Sequence, residues 1–193
     1  MTSREKILSA TKQNQPALVP LPDININEVI QYEDLVAQFE LILTRIGGTV
    51  VHFQNEETIM VKIKEESAIR LVINTLESTE SQRKAIQNLK SIDLENIDTA
   101  YVRGALGIAE NGSVWIDERS MVNRLLPFIC QHLVVVLHAK QIVATMHHAY
   151  QQIDVKETGF GSFIAGPSKT ADIEQSLVIG AHGPRSLTLF FVF

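Results

Sequence analysis

The run Leu133-Val134-Val135-Val136-Leu137 is apolar at every position. A strand of a parallel sheet that is covered on both faces has this pattern, whereas a half-exposed strand alternates apolar and polar residues. Moving outward from this run, strand character recurs at residues 100–102, 113–116, 163–165 and 187–193, and helical spacing at residues 140–152 and 170–179. Strands that alternate with helices predict a layered α/β domain with a mainly parallel sheet.

The N-terminal half predicts further elements of both kinds. Residues 3–12 are expected to form a short helix capped by Ser3, and residues 33–46 an amphipathic helix that the following pair of glycines ends. A β-branched strand is predicted at residues 49–53. Residues 57–77 fit a helix, most clearly from Glu65 onward, although their first part also alternates as a strand would.

Prolines at positions 16, 20 and 22 keep the segment after the first helix extended. We expect one domain over residues 1–193, with an N-terminal helix and a proline-containing arm in residues 1–30 and the α/β core in residues 31–193. The arm would lie over the body of the domain or over a neighbouring subunit.

The composition narrows the class of protein. The net charge is −5, and the chain has no cluster of Lys and Arg, so nucleic acid is not expected as a partner. No apolar run approaches the ~20 residues that cross a bilayer, and no signal-peptide core is present, so a cytoplasmic location is expected. The single cysteine, Cys130, can neither form an intrachain disulfide nor hold an iron–sulfur cluster alone.

One glycine-bounded loop carries Ser168 and Lys169 within Gly166-Pro167-Ser168-Lys169-Thr170-Ala171-Asp172-Ile173-Glu174. The segment fits a turn followed by a helix that Ser168 or Thr170 caps. It equally fits an anion site in which the helix N-terminus and Lys169 bind phosphate or carboxylate. The glycine spacing excludes a P-loop.

A second loop, Gly180-Ala181-His182-Gly183-Pro184-Arg185, directly precedes the C-terminal strand. A surface turn with a solvated arginine would explain it. We favour a functional interpretation, because Arg185 offers bidentate recognition of a carboxylate or phosphate and His182 can transfer protons near neutral pH.

A third segment contains Glu110, Asn111 and Gly112 between two predicted strands. Asn-Gly favours a hairpin turn, which explains this pair but not Glu110. Glu110 is a candidate base or substrate ligand, or simply an exposed carboxylate.

The remaining histidines predict less. His147 and His148 are adjacent on a predicted helix and therefore point to different faces, which makes a poor chelate. His132 fits either a pocket or the core, with the core favoured. Cys130 has no neighbouring cation that would lower the pKa of its thiol, so it is a poor nucleophile. The sequence supports no metal site.

Taken together, these segments resemble the LUD-domain family, specifically its lactate utilisation protein C branch. The motifs that carry the resemblance occur in the family's order: Ile108-Ala109-Glu110-Asn111-Gly112-Ser113, Leu126-Pro127 with His132-Leu133, Ala165-Gly166-Pro167-Ser168-Lys169-Thr170-Ala171-Asp172-Ile173-Glu174 and Gly180-Ala181-His182-Gly183-Pro184-Arg185. Asn111 and Ser113 depart from the family's usual threonines.

The resemblance implies a three-layer α/β/α sandwich similar to the sugar-phosphate isomerase, CoA-transferase and formyltetrahydrofolate cyclo-ligase group. It also implies a role in oxidising L-lactate to pyruvate beside iron–sulfur partner proteins. This chain would then carry no cofactor itself, and whether it catalyses the reaction or forms a homo-oligomer is left open.

From these observations we expect an anion pocket built by loops 108–113, 166–172 and 180–186. Lys169, Ser168, Thr170, Gly183, Arg185 and Asn111 would bind the anion. His182 would transfer the proton, and Glu110 would orient His182 or act as base. In open α/β sheets such pockets lie at the carboxyl ends of the strands, where we expect these loops. Two alternatives remain: a non-catalytic assembly subunit, and an independent enzyme acting on a phosphorylated or folate-like molecule.

Overall fold

A computed structural model describes residues 2–20, 22–171 and 177–193. In these residues, no helix is both long and apolar enough to span a bilayer. The α-helices are α1 (Ser3–Gln13), α2 (Leu35–Arg45), α3 (Glu56–Ser67), α4 (Glu80–Gln87), α5 (Ser91–Leu94), α6 (Glu118–Met121), α7 (Leu126–Ile129), α8 (Met146–Gln152) and α9 (Val155–Thr158). The strands are β1 (Thr49–Phe53), β2 (Val72–Asn74), β3 (Thr99–Arg103), β4 (Leu106–Ile108), β5 (Ser113–Asp117), β6 (His132–His138), β7 (Ile142–Val143), β8 (Gly161–Ile164), β9 (Lys169–Ala171), β10 (Leu177–Ile179) and β11 (Ser186–Val192).

The central sheet has five strands in the order β1-β11-β6-β3-β2, and every pair is parallel. The apolar run at residues 133–137 lies in its middle strand, where β11 pairs along one side and β3 along the other. Leu133, Val135 and Leu137 are fully buried. The predicted α/β class with a mainly parallel sheet is therefore confirmed.

Different layers cover the two faces of this sheet. Helix α3 packs Ile59 and Ile63 on one face, against Tyr101 of β3 and Val134 and Val136 of β6. The other face carries the larger core, to which α2 contributes Phe39 and Leu43. This outer layer contains helices and also a four-stranded sheet of order β7-β4-β5-β8, which the three-layer expectation did not include.

The Asn-Gly turn forms the predicted hairpin. Strands β4 and β5 pair antiparallel on either side of it, with Ile108 opposite Ser113. The predicted strands near residues 49–53, 100–102, 113–116, 163–165 and 187–193 are all present.

Three of the helix predictions made from the sequence are wrong in whole or in part. Residues 57–77 form α3 and then strand β2, so the part beginning at Glu65, where the helical pattern is clearest, is largely not helical. Residues 140–152 begin with a 3-10 turn and strand β7, and only the end is helical. In both places a short strand pairs with a distant strand, β3 or β4, and this pairing overrides the local helical pattern.

The helix predicted over residues 170–179 is also wrong in the described part of that segment. Strands β9 and β10 form an antiparallel hairpin, with Thr170 opposite Val178. The β-branched residues Thr170, Val178 and Ile179 suit a strand better than a helix. Asp172 and Glu174, in the same predicted helix, lie outside the described residues.

The N-terminal segment is exposed. Helix α1 is capped by Thr2 rather than Ser3 and buries none of its residues. Leu18 and Val19 in the proline-containing arm are exposed by 102% and 81%. The body of the domain therefore does not cover the arm at these side chains.

Candidate functional site

A hollow of about 320 Å³ lies between the two glycine loops that the sequence singled out. Its walls come from Pro127 and Phe128 in α7, residues 163–169, and residues 182–184. Ser168, Lys169, His182 and Gly183 therefore meet around one space, although the two loops are separated in the chain by the β9–β10 hairpin.

Backbone hydrogen bonds hold the loops together. Ser168 N donates to Pro184 O over 2.9 Å, and Gly180 N donates to Ser168 O over 3.0 Å. Arg185 N donates to Gln131 O over 2.8 Å, which ties the second loop to the start of β6. A Cβ on Gly183 would lie 3.0 Å from the Ser168 Cβ, so the loops touch where a larger residue would push them apart.

Because the second loop leads into β11 and contacts the residue before β6, the hollow lies at the amino-terminal edge of the parallel sheet. The expectation that these loops lie at the carboxyl ends of the strands is therefore wrong. The loops precede their strand in the chain, and in a parallel sheet the starts of all strands share one edge.

The Lys169 ammonium has a protein partner, since its Nζ donates a hydrogen bond of 2.5 Å to the carbonyl oxygen of Ile46. Ile46 is the C-cap of α2, where unpaired carbonyls favour a cation. An ammonium has three donors, so Lys169 can still donate to a ligand in the hollow that it lines.

The His182 and Arg185 side chains are exposed, and neither has a hydrogen-bond or ion-pair partner within the described residues. His182 lines the hollow. Arg185 is not among the lining residues, and its side chain packs beside Gly180 instead. Thr170 belongs to strand β9 and does not line the hollow either.

The third predicted loop serves other contacts. Glu110 Oε2 accepts a hydrogen bond of 2.9 Å from Met146 N, the first residue of α8. Asn111 Oδ1 accepts hydrogen bonds from Ser113 N over 3.0 Å and from Ser113 Oγ over 2.6 Å. Neither residue lines the hollow, so the structure brings together two of the three predicted loops.

The structure also places His132, which the sequence left open between pocket and core, and Cys130, which the sequence indicated to be a poor nucleophile. His132 begins β6, half-buried, with its Nδ1 2.8 Å from Ser186 Oγ of the neighbouring strand. Cys130 is 1% exposed, and burial raises the pKa of its thiol to about 12. In the described part of the chain, no group of three or more His, Cys, Asp or Glu side chains could hold a metal ion.

A second polar cluster, at the carboxyl edge of the sheet, was not predicted. Arg103 donates two hydrogen bonds to Glu56, from Nη1 to Oε1 over 2.8 Å and from Nη2 to Oε2 over 2.7 Å. The Arg103 guanidinium lowers the pKa of the Glu56 carboxyl, and His138 adds a smaller effect. Arg103 and His138 are the last residues of β3 and β6, each one residue beyond a strand that the sequence predicted. Polar residues directly after two predicted strands were therefore the signal that could have indicated this cluster.

Comparison with known proteins agrees with this architecture. A crystal structure of a DUF162 family protein from Deinococcus radiodurans superposes with a TM-score of 0.62 at 21% identity, over 82% of this chain and 96% of that one. The chain therefore shares its α/β fold with that protein. The LUD domain model matches residues 93–192, which is just over half of the chain, and the chain belongs to the LUD-domain family.

The chain is similar to several curated proteins named lactate utilization protein C. Lactate utilization protein C of Geobacillus thermodenitrificans is 30% identical over 104 residues, 51% of this chain and 42% of that protein. The Deinococcus radiodurans protein of the same name is 31% identical over 107 residues, 54% of this chain and 50% of that protein. The matches thus span about half the length of these relatives.

Proposed function

We propose that this chain takes part in lactate utilisation and binds a small carboxylate, L-lactate or its oxidation product pyruvate, in the hollow between the glycine loops. The observation that carries the proposal is the convergence of Ser168, Lys169, His182 and Gly183 around one space of about 320 Å³. The role in lactate utilisation is inferred from the name of the relatives, lactate utilization protein C.

The charge and size of the hollow support an anionic ligand. Lys169 and His182 contribute cationic or protonatable groups, and its described lining residues include no Asp or Glu. The volume lies at the lower end of the range for small-molecule sites. Arg185, exposed nearby in the same loop, would attract an anion without direct contact.

Oxidation of L-lactate to pyruvate removes two electrons and two protons. In this proposal His182 takes the hydroxyl proton, the Cα–H bond breaks and its proton passes to solvent, and iron–sulfur partner proteins take the two electrons. Cys130, buried and with a raised pKa, does not fit an iron–sulfur cluster, which usually takes four thiolates. Glu110 and Asn111 have no part in this pocket because they stabilise α8 and the hairpin turn.

The test is a titration of ¹⁵N-labelled protein with L-lactate and with pyruvate, read at the His182 ring and the Gly183 amide. Both ligands should shift these resonances in the wild type. Affinity should fall about tenfold in His182→Gln and in Lys169→Gln, since each removes a hydrogen bond to a charged group. Arg185→Gln should have a smaller effect that salt suppresses.

His147→Gln is the matched control, because His147 is exposed on α8 and lies outside the hollow. The proposal fails when neither ligand moves the His182 and Gly183 resonances, or when the control variant loses affinity to the same extent.

The exposed N-terminal segment favours a second candidate, an assembly subunit that docks iron–sulfur partners. Helix α1 buries nothing, and Leu18 and Val19 project from the arm. An isolated helix of this length is marginal in water, which suggests that a partner covers it. Co-purification from the native host distinguishes the candidates: L18S/V19S should release the partners if the arm docks them, whereas His182→Gln should retain them.

A further inference from the structure

Three side chains meet at the carboxyl edge of the central sheet. Arg103 is the last residue of β3, His138 is the last residue of β6, and Glu56 is the first residue of α3. Along β3 and β6, Tyr101, Val134 and Val136 face α3. Side chains two residues further along a strand point to the same face, which places Arg103 and His138 under the start of α3.

The contacts are specific. Both oxygens of Glu56 accept from Arg103, and His138 Nε2 lies 2.9 Å from Glu56 Oε1. The side chains of Arg103, Glu56 and His138 are 33%, 36% and 41% exposed, so a ligand can reach them. Bidentate pairing with a guanidinium fixes both the position and the ionised state of the carboxylate.

This geometry determines which nitrogen of His138 carries the hydrogen. An ionised carboxylate only accepts hydrogen bonds, so Nε2 must donate to Glu56. In the neutral imidazole Nδ1 is then the unprotonated acceptor. Within the described residues no side-chain hydrogen bond to Nδ1 is present, and Nδ1 is therefore available as a hydrogen-bond acceptor.

The cluster also offers donors to an anion. Arg103 uses two of its five N–H groups on Glu56, which leaves three. A ligand that satisfies both the free Arg103 donors and the His138 Nδ1 acceptor has a carboxylate and a hydroxyl group.

This cluster is separate from the hollow of the proposed function. The two lie at opposite ends of β6, a strand of seven residues, which is about 20 Å at the usual rise per residue. A single small molecule cannot contact both. The inference therefore does not depend on whether the hollow binds lactate.

We propose that Glu56, Arg103 and His138 form a second site, for a small hydroxy acid, in which Arg103 binds the carboxylate and His138 Nδ1 accepts a hydrogen bond from the hydroxyl group. The hydroxyl group keeps its proton, and no covalent bond is made or broken at this site. Glu56 is a positioning residue that accepts from Nε2 and so leaves Nδ1 as the acceptor.

The experiment uses the full chain with ¹⁵N-labelled histidine, L-lactate as the hydroxy acid and acetate as a carboxylate without a hydroxyl. The spectrum of the free protein should show hydrogen on Nε2 and none on Nδ1 of His138. L-lactate should shift the His138 ring resonances, and acetate should bind there about tenfold more weakly or not at all.

Variants separate this site from the hollow and from structural effects. Glu56→Gln should weaken L-lactate binding at His138 about tenfold and abolish the preference for hydrogen on Nε2. Glu57→Gln removes the same charge from the adjacent, exposed residue of α3 and should leave both readouts unchanged. The double variant K169Q/H182Q should retain the shifts at His138 while losing those in the hollow.

His52 is an internal reference, because its Nε2 lies 2.6 Å from Glu40 Oε1 while no arginine pairs with Glu40 in the part of the chain that the structure describes. L-lactate should not shift its resonances. Three results overturn the proposal: hydrogen on Nδ1 of His138, equal binding of acetate and L-lactate, or no shift at His138 with folded wild-type protein. Should Glu56→Gln fail to fold, His138→Gln and the acetate comparison still decide the question.

Discussion

Lys169 Nζ donates a hydrogen bond to the carbonyl oxygen of Ile46, and this contact joins the first glycine loop to the C-terminal end of α2. The two residues are 123 positions apart in the chain. A residue that the sequence marks for anion binding thus also completes a helix end.

Replacing Lys169 by glutamine should therefore lower stability as well as anion affinity. Loss of a charge-assisted hydrogen bond at a helix C-terminus is worth about 1 kcal/mol at an exposed position. Urea unfolding of Lys169→Gln measures it, and Lys156→Gln is the control, since that exposed lysine contacts no described acceptor through its ammonium. Equal stability of Lys169→Gln and wild type would contradict the role of this contact.

Glu110→Gln should destabilise the protein by about 1 kcal/mol, the usual effect of weakening a helix cap. Its carboxylate accepts from Met146 N at the start of α8. L-lactate affinity in the hollow should not change, because Glu110 does not line it. Calorimetric unfolding combined with the His182 titration gives both values, and a loss of affinity at His182 would restore the catalytic role that the sequence suggested.

Gly112→Ala should be more destabilising than Gly159→Ala. Both glycines have positive φ, +67° and +71°. A Cβ on Gly112 would lie 2.9 Å from the Leu43 backbone nitrogen, whereas on Gly159 it would meet only the end of the Glu118 side chain, which can move. We expect about 1–2 kcal/mol for the strained backbone alone and a further loss at Gly112. Thermal unfolding of the two variants tests the order.

The acid limb of the stability curve should depend on Glu56. Arg103 lowers the pKa of the Glu56 carboxyl from its ordinary value of 4.5. A lowered pKa in the folded state stabilises the protein above pH 4.5, and that contribution is lost as the pH falls through the folded-state pKa. Glu56→Gln should therefore be less stable at pH 7 and should lose less stability on acidification. Urea midpoints between pH 7 and pH 3 measure this, with Glu57→Gln expected to follow the wild type.

Much of the fold could be predicted from local patterns. The apolar run at residues 133–137 identified the central strand, and the Asn-Gly pair identified a hairpin. The errors fall where a short strand depends on a remote partner, as at β2, which pairs with β3 27 residues later in the chain. Local helical spacing could not reveal such a pairing because its stabilisation comes from the partner strand.

The candidate site was predicted in part. The two glycine loops meet as expected, since their motifs flank a short hairpin and lead into a buried strand. Glu110 was expected to join them, but its side chain contacts α8, a direction that the residue type does not reveal. The cluster at Glu56 was not predicted, because its partners lie 47 and 82 residues away.

The sequence by itself determined the α/β class, the buried central strand, the turn chemistry and the family motifs, because each depends on residues close together in the chain. Only the tertiary structure decided that the loops lie at the amino edge of the sheet, that Lys169 completes α2, and that Glu56, Arg103 and His138 meet at the opposite edge. The physical reason is that strand order and helix crossover, which local periodicity does not encode, set the distances between these groups.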